Sequence, residues 1–495
     1  MKIHHLLLKH YFQWQARAMR LDKANAVDNQ WYALHDLVNK AQKTAFGKDH
    51  DFVSIKTYQD FKQRVPLRTY ADIEPYIQRI FEGENDVLWQ GKPLFFAKTS
   101  GTTSGVKYIP VTSDYIQSRQ KGSQFAAANL SQIVGNLDFW GDKLLLFSEN
   151  HTFQVKNGFR CAAISAIDSY LFPKWLDWLY VPGRVINQEP TYDKKIERTI
   201  EKMLRYDVRA MFGLPVWLML FLDSFEKKTG KKFKEIYPQF STIFLSGMNY
   251  TPYLSKLKAH LGENLTAFEA YVASEGFIAY QDRMNERGMV LVTKQGIFYE
   301  FMPLEDEHLP NPRRFSLAEI ELDKDYALIL NTNTGLWGYL LGDIVRFVSK
   351  EPYRIVVTGR LNQVLSAFGE HLLPIEAENA LSHACFDTQA TVTQFTVVPQ
   401  IAPSVGLPHH EWYIEFEKES QDLTRFSQLI HEHLASKNMC YGDLVIGNAI
   451  AQPKIISLPC NFFASVAIQQ HGTLNAQQKT PILQADRNWV KQFIK

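Results

Sequence analysis

Apolar positions along this chain change their spacing as it proceeds. From Met1 to Arg20 the Leu, Phe and Trp positions suit an amphipathic helix. A charged helical pattern follows from about Asn29 to Ile80, broken at Val65-Pro66-Leu67, and reads as scaffold. Phe95-Phe96-Ala97 then has the character of a buried strand ending at Lys98. Seven residues that are all Thr, Ser or Gly come next, Thr99 to Gly105, before a second strand-like run with Lys107 at its head. Ser113 is placed to cap a helix running toward Ile133. Beyond it, short apolar strands (Lys143 to Phe147, Val208 to Phe212, Thr242 to Leu245, Thr266 to Tyr271) alternate with helices at about Pro215 to Glu226 and Pro252 to Leu261. That alternation predicts an α/β sheet. From Met289 to Val357 closely spaced strands take over, at Ile297 to Met302, Ala318 to Leu322, Ala327 to Asn331 and Ile344 to Phe347, which predicts a β-rich subdomain. After Arg360 the pattern is that of a compact α+β domain: a helix from Pro374 to His383, strands from Thr391 to Val398 and Trp412 to Glu417, a helix from Leu423 to Ser436, and a closing helix from Asp486.

Charge and composition narrow the partners. With 54 basic and 52 acidic side chains the net charge is +2, which gives no reason to expect nucleic acid or an anionic membrane as the main partner. The basic run Lys227 to Lys232 reads as a solvated helix end. Cys161, Cys385, Cys440 and Cys460 form no Cys-x-x-Cys pair, so free, mostly buried thiols in a reducing cytoplasm are expected. The three-leucine run between His5 and Lys9 is too short for the apolar region of a signal peptide, and no stretch approaches the length of a membrane span. A cytoplasmic protein is the expectation, with its oligomeric state open. His151, His409 and His410 have no partner spacing that suggests catalysis and are expected in loops or at the surface.

The chemistry concentrates in a few short segments. In Lys98-Thr99-Ser100-Gly101-Thr102-Thr103-Ser104-Gly105-Val106-Lys107, small residues let backbone amides converge on an anion while hydroxyls and lysine add donors and charge. It reads as a polyphosphate cradle, the alternative being a flexible hairpin loop. The mononucleotide P-loop pattern is absent, and a strand follows where that motif needs a helix. Tyr271-Val272-Ala273-Ser274-Glu275-Gly276 follows a predicted strand, where an α/β sheet presents ligands. Glu275 can hold Mg²⁺ against phosphate oxygens, since nucleotide-bound Mg²⁺ needs only one or two protein carboxylates; the alternative is an ordinary solvated glutamate. Asp343, after Gly342, can accept both ribose hydroxyls or simply mark a turn. Arg360 can bind phosphate or ribose oxygens at the start of a hinge.

Taken together, the Ser/Thr/Gly loop ending in lysine, Tyr271-x-x-Ser274-Glu275, Tyr339-x-x-Gly342-Asp343 and Arg360-x-Asn362-x-x-Leu365-Ser366 resemble, in order and spacing, the acyl-acid amido synthetases that conjugate auxin and jasmonate in plants. Asp343 and Arg360 also resemble the motifs of the wider adenylate-forming superfamily of acyl-CoA synthetases and luciferase. The resemblance covers nearly the whole chain. It implies a large N-terminal adenylation domain, residues 1–360, with α/β sheets and a barrel-like β-rich part at about 289–357. It also implies a small mobile C-terminal domain, residues 361–495, hinged near 360–366.

The resemblance further implies ATP and Mg²⁺ as cofactors, and a carboxylic acid and an amino acid as substrates. The acid is activated as an acyl-adenylate and transferred to the amine. Thr99, Ser100, Gly101, Thr102 and Lys107 would hold phosphates, and Glu275 would hold Mg²⁺. Ser246 and Gly247 would lie beside adenine, Tyr271 and Ser274 near the nucleotide, and Asp343 at the ribose. Lys479, in Gln477-Gln478-Lys479-Thr480-Pro481, would swing in to the α-phosphate. The chain departs from the family at Ile482, where an arginine is common, and at His371, which stands where the plant enzymes have lysine. An acyl-CoA ligase is the competing reading, opposed by Asn362 and Ser366 where those ligases commonly carry aspartate and lysine. A nucleotide-binding sensor without turnover is a second competitor. Phe172 to Trp178 and Pro215 to Met219 could line an acyl pocket or belong to the core.

Overall fold

A computed structural model describes the chain apart from residues 1–2, 102–104, 134–141, 147, 149–152, 173, 190, 247–253, 285, 371, 472–479, 485–486 and 495. Its N-terminal part is helical: α1 (Ile3–Ala24), α2 (Ala26–Ala41), α3 (Ala45–Asp49), α4 (Tyr58–Arg64), α5 (Tyr70–Phe81) and, after a hairpin, α6 (Ser113–Ile133). Thr57 and Thr69 open α4 and α5 with capping boxes closed by Asp60 and Asp72. The break at Val65-Pro66-Leu67 follows from proline, which pushes the residue before it out of the helical region. The cap of α6 lies one residue earlier than the sequence suggests. Thr112 Oγ1 accepts the Tyr115 N–H at 3.1 Å and donates to the Asn333 carbonyl at 2.8 Å, leaving Ser113 as the first helical residue.

The hairpin is β1 (Phe95–Gly101) and β2 (Gly105–Val111). Strands β3 (Lys143–Leu146), β4 (Gln154–Lys156), β5 (Phe159–Ala162), β6 (Tyr180–Val181), β7 (Val208–Gly213), β8 (Thr242–Ser246) and β9 (Thr266–Val272) follow. Then come β10 (Phe277–Tyr280), β11 (Met289–Leu291), β12 (Ile297–Pro303), β13 (Asp325–Thr332), β14 (Tyr339–Lys350) and β15 (Tyr353–Arg360). A small sheet has the order β2-β1-β5-β4, and a large one the order β12-β13-β14-β15-β11-β10-β9-β8-β7-β3-β6. In the large sheet β6, β3, β7, β8 and β9 are mutually parallel, as their helical connections predict. β10 and β11 reverse direction, and the β-rich stretch continues this same sheet.

Alternation along the parallel strands sorts their side chains between two cores. Leu145, Met211, Ile243 and Leu245 face helices that contribute Leu218, Phe221, Phe225 and Leu257. Leu144, Ala210, Phe244 and Phe268 face Phe12 and Met19 of α1 and Phe125 of α6. Both faces are therefore covered, the usual condition of a parallel sheet.

Ala318 to Leu322 is not a strand. Ser316 donates its N–H and hydroxyl to the Glu319 carboxylate (2.8 and 2.6 Å) and its carbonyl accepts the Glu319 N–H, closing a turn.

The chain separates into two compact units, Met1–Leu341 with Arg346–Val356, and Gly342–Val345 with Val357–Lys495. The second is α+β: β16 (Thr391–Gln400), β17 (His409–Lys418) and β18 (Lys454–Leu458) form a sheet in that order, with helices Pro374–Thr388 and Leu423–Lys437 packed through Ala380, Leu381, Phe426 and Ile430. The cysteines are free, but only Cys161 is buried; Cys385 and Cys440 are half-buried and Cys460 is exposed. No helix among the described residues is long and apolar enough to cross a membrane.

Candidate functional site

The Thr/Ser/Gly stretch is mostly ladder. β1 runs to Gly101 and β2 starts at Gly105, and Thr102, between them, falls outside the described residues. Register places Thr99 directly opposite Lys107, which puts hydroxyl and ammonium on one face of the hairpin. The Lys107 ammonium lies 5.7 Å from the centre of the Tyr70 ring, a cation–π contact. Tyr70 in turn accepts the Tyr108 N–H through its hydroxyl at 2.8 Å, and burial pushes its phenol up to about 12. Lys98 sits on the opposite face and donates to Gln154 Oε1 at 3.2 Å. Phe96 and Ala97, fully buried, anchor the strand that presents these groups.

The second element is the turn between β9 and β10. Tyr271 is still in β9, Ser274 and Glu275 occupy the turn, and Glu275 is only 7% exposed, which removes the solvated-glutamate alternative. Two side chains of α6 grip this turn from one side. Tyr115 donates its hydroxyl to the Ser274 carbonyl at 2.8 Å, and Arg119 donates Nη1 to the Ala273 carbonyl at 2.8 Å. Arg119 also meets both carboxylate oxygens of Asp168 at 2.8 Å and the Tyr115 hydroxyl at 3.1 Å. Burial alone would lower the pKa of Arg119; the Asp168 carboxylate and Tyr115 outweigh it and hold the guanidinium charged. Burial also pushes the Tyr115 phenol well above its usual range. Behind the turn lies a water-sized cavity lined by Tyr115, Ser118, Arg119, Phe277, Gln295 and Asn333. Ser246 ends β8 and pairs with Ala270, one residue before Tyr271. Gly247 lies outside the described residues.

The sequence reading missed Tyr115 and Arg119. Their spacing of four on a helix that starts right after the hairpin was a readable signal, since residues four apart share a helical face.

In the second unit, Asp343 is not in a turn between two strands. β14 runs unbroken through it, with Gly342 at φ +91°, a backbone value reserved in practice for glycine. Asp343 is 8% exposed, and its Oδ1 accepts from Nε of Arg360, the last residue of β15, at 2.6 Å. The two residues read separately as ribose and phosphate ligands are thus partners. After Arg360, Leu365 and Leu372 bond each other's backbone, closing a small loop. Its Glu370, fully buried, accepts the Phe368 N–H at 2.7 Å and faces His410 Nε2 at 2.9 Å. His410 is 1% exposed, which overturns its expected surface position; His409 is half-buried, and His151 lies outside the described residues. His371 and Lys479 also lie outside them. The chain just after Lys479 is docked on β16: Val397 N–H donates to the Ile482 carbonyl at 2.7 Å, and Thr396 Oγ1 to that of Pro481 at 2.7 Å. Of the apolar segments, Leu218 and Met219 belong to the core and Trp178 is 40% exposed.

Residues 15–194 match the GH3 family N-terminal domain, 290–360 the GH3 family central domain and 375–488 the GH3 family C-terminal domain. The chain belongs to the GH3 family. Among curated GH3-type relatives, a jasmonoyl–L-amino acid synthetase of Nicotiana attenuata is 25% identical over 58% of this chain and 61% of its own length. An indole-3-acetic acid-amido synthetase of Arabidopsis thaliana is 29% identical over 78% of this chain and 77% of its own. The chain thus spans about three fifths of the first of these relatives. The solved GH3.15 acyl acid amido synthetase superposes with a TM-score of 0.78 at 17% identity, covering 97% of this chain and 95% of that one. A 2-hydroxyisobutyryl-CoA ligase superposes with a TM-score of 0.61 at 12% identity, covering 95% and 91%. The fold is therefore that of this GH3 enzyme and of the adenylate-forming ligases: mixed α/β, with a large N-terminal and a smaller C-terminal domain.

Proposed function

We propose that this GH3 protein is an ATP-dependent ligase that activates a carboxylic acid as its acyl-adenylate and passes the acyl group to the amino group of an amino acid. The observation that carries the reading is the hairpin register, which sets Lys107 across from Thr99 in a segment rich in amides and hydroxyls. Its three consecutive GH3 matches support the same reading. In this account Thr99, Ser100, Gly101, Thr102 and Lys107 hold the triphosphate. Ser246, Gly247, Tyr271 and Ser274 line the nucleoside, while Asp343, Arg360 and His371 hold ribose and phosphate oxygens. Residues 361–495, hinged near 360–366, form the domain that brings Lys479 to the α-phosphate. A phosphate contact by His371 would depend on pH, because imidazole titrates near neutrality.

Glu275 is the candidate Mg²⁺ ligand. No group of three or more His, Cys, Asp or Glu that could cage a metal occurs among the described residues, and one buried carboxylate fits an ion that arrives on the phosphates. When bound, Mg²⁺ neutralises phosphate charge. The substrate carboxylate attacks the α-phosphorus, the bond to the β-phosphate oxygen breaks, and pyrophosphate leaves. Loop amides and Lys107 lower that barrier by stabilising charge that is already partly placed in the ground state and grows on the leaving group. A neutral amine then attacks the acyl carbonyl and expels AMP.

The test is pyrophosphate release from Mg²⁺-ATP across aryl, indolyl and fatty acids, with mixed amino acids or CoA as acceptor, beside a Lys479→Ala variant. Acid-dependent release that amino acids stimulate and the variant depresses supports the proposal. Stimulation by CoA alone replaces it with a thioester-forming ligase, and ATP binding without release with a sensor.

A further inference from the structure

α1 has two apolar sides, and only one is accounted for. Phe12, Ala16 and Met19 enter the core, while on the other side Trp14 is 64%, Leu21 59% and Tyr11 38% exposed. The Tyr11 and Trp14 rings lie 6.3 Å apart, so the exposed aromatics form one patch. Arg17 and Arg20 are exposed beside them. The one carboxylate in α1, Asp22, is buried. α6 packs along α1, with Gln15 donating to Gln124 at 3.0 Å, and its exposed positions Gln117, Gln120, Ser123 and Gln132 are neutral. Its single carboxylate, Asp114, accepts from the Trp89 indole at 3.3 Å. At the far end of α1, Lys23 pairs with Asp282 at 2.8 Å.

We propose that the exposed face of α1 seats on an anionic lipid surface, with Trp14, Tyr11 and Leu21 at the headgroup boundary and Arg17 and Arg20 on the phosphates. Indole and phenol rings favour that boundary, and apolar side chains flanked by arginines without acids match an interfacial helix. Charge argues against a second copy as the occupant: two such faces would bring arginines together with no carboxylate to meet them. The chain's near-zero net charge does not bear on this, because attraction within a screening length depends on the local patch. The proposal is independent of the ligase reading.

The experiment is co-sedimentation of the full chain with vesicles of phosphatidylcholine alone, or with about a third phosphatidylserine. Trp14→Ser/Leu21→Ser and Arg17→Gln/Arg20→Gln are tested beside the wild type, with light scattering of each in lipid-free buffer. All four positions are exposed, so both double variants keep the fold. Expected are pelleting with anionic vesicles only and its weakening by salt. The partition coefficient should drop roughly 25-fold in the arginine variant, at about fivefold per charge, and roughly tenfold or more in the apolar one. Failure of the wild type to pellet, equal pelleting of all three proteins, or a lipid-free dimer that the apolar variant dissociates would each overturn the proposal.

Discussion

Replacing Arg119 with methionine keeps much of the volume and removes every donor that α6 extends from this position. The half-buried Ala273 carbonyl then loses its charged donor and keeps only the Gly276 N–H at 3.3 Å, at a cost of about 1–3 kcal/mol, and the buried Tyr115 hydroxyl loses a partner, at about 1 kcal/mol more. Asp168 is 43% exposed and rehydrates, so the broken ion pair adds only about 0–1 kcal/mol. The sum, about 2–5 kcal/mol, should appear as a lower urea midpoint at unchanged slope. Because the bonds lost are those holding the turn with Ser274 and Glu275, the KM for ATP in pyrophosphate release should rise as well. Arg119→Lys, which keeps the charge without the fork, should fall between the two. A cycle with Tyr115→Phe should give a coupling of about 0.5–2 kcal/mol, since both grip one turn. A change below about 0.5 kcal/mol with unaltered kinetics would refute the idea that α6 holds the turn.

Burial raises the Asp22 carboxyl above its ordinary value of 3.8, against weaker lowering by Thr293. The folded chain then holds that proton more tightly than the unfolded one, so the contribution is present below 3.8 and is lost as pH rises through the raised value. Asp22→Asn should therefore gain on the wild type in urea midpoint as pH rises above about 3.8; a constant gap would contradict this. Glu370→Ala leaves the buried His410 imidazole without its partner and should cost about 1–3 kcal/mol, read as early loss of exchange protection in β17, with Glu370→Gln far milder. Gly342→Ala meets no atom within 4 Å, so its cost is the backbone term alone, about 1–2 kcal/mol, together with weaker ATP binding if Asp343 shifts; a neutral result in both would remove the need for glycine there.

β3, β7, β8 and β9 were legible because each is an apolar run bounded by turn residues, and helices Pro374–Thr388 and Leu423–Lys437 because of their apolar spacing, whereas two-residue β6 and the helices Met439–Ile446 and Phe462–His471 were not read. Ala318 to Leu322 was misread because a local side-chain bond, Glu319 to Ser316, competes with the ladder and leaves no trace in apolar spacing. The candidate phosphate-loop residues stood out by composition, yet their register, Thr99 against Lys107, depends on where the turn closes. Pairings distant in sequence were out of reach altogether. Arg119 with Ala273, Asp343 with Arg360, and Glu370 with His410 each join residues that look unremarkable alone.

The link from hairpin to turn also sets a limit on how this sequence can vary. β2 ends at Val111, Thr112 caps α6, and Tyr115 and Arg119 reach the β9–β10 turn within the next two helical turns. An added residue between Thr112 and Tyr115 would rotate the helix by about 100° against its cap and swing both side chains off their carbonyls. Lengthening the chain between Gly101 and Gly105 would leave that phase untouched. Insertions and deletions in descendants of this chain should thus be admitted between Gly101 and Gly105 and excluded from the seven positions that follow Thr112 and run through Arg119.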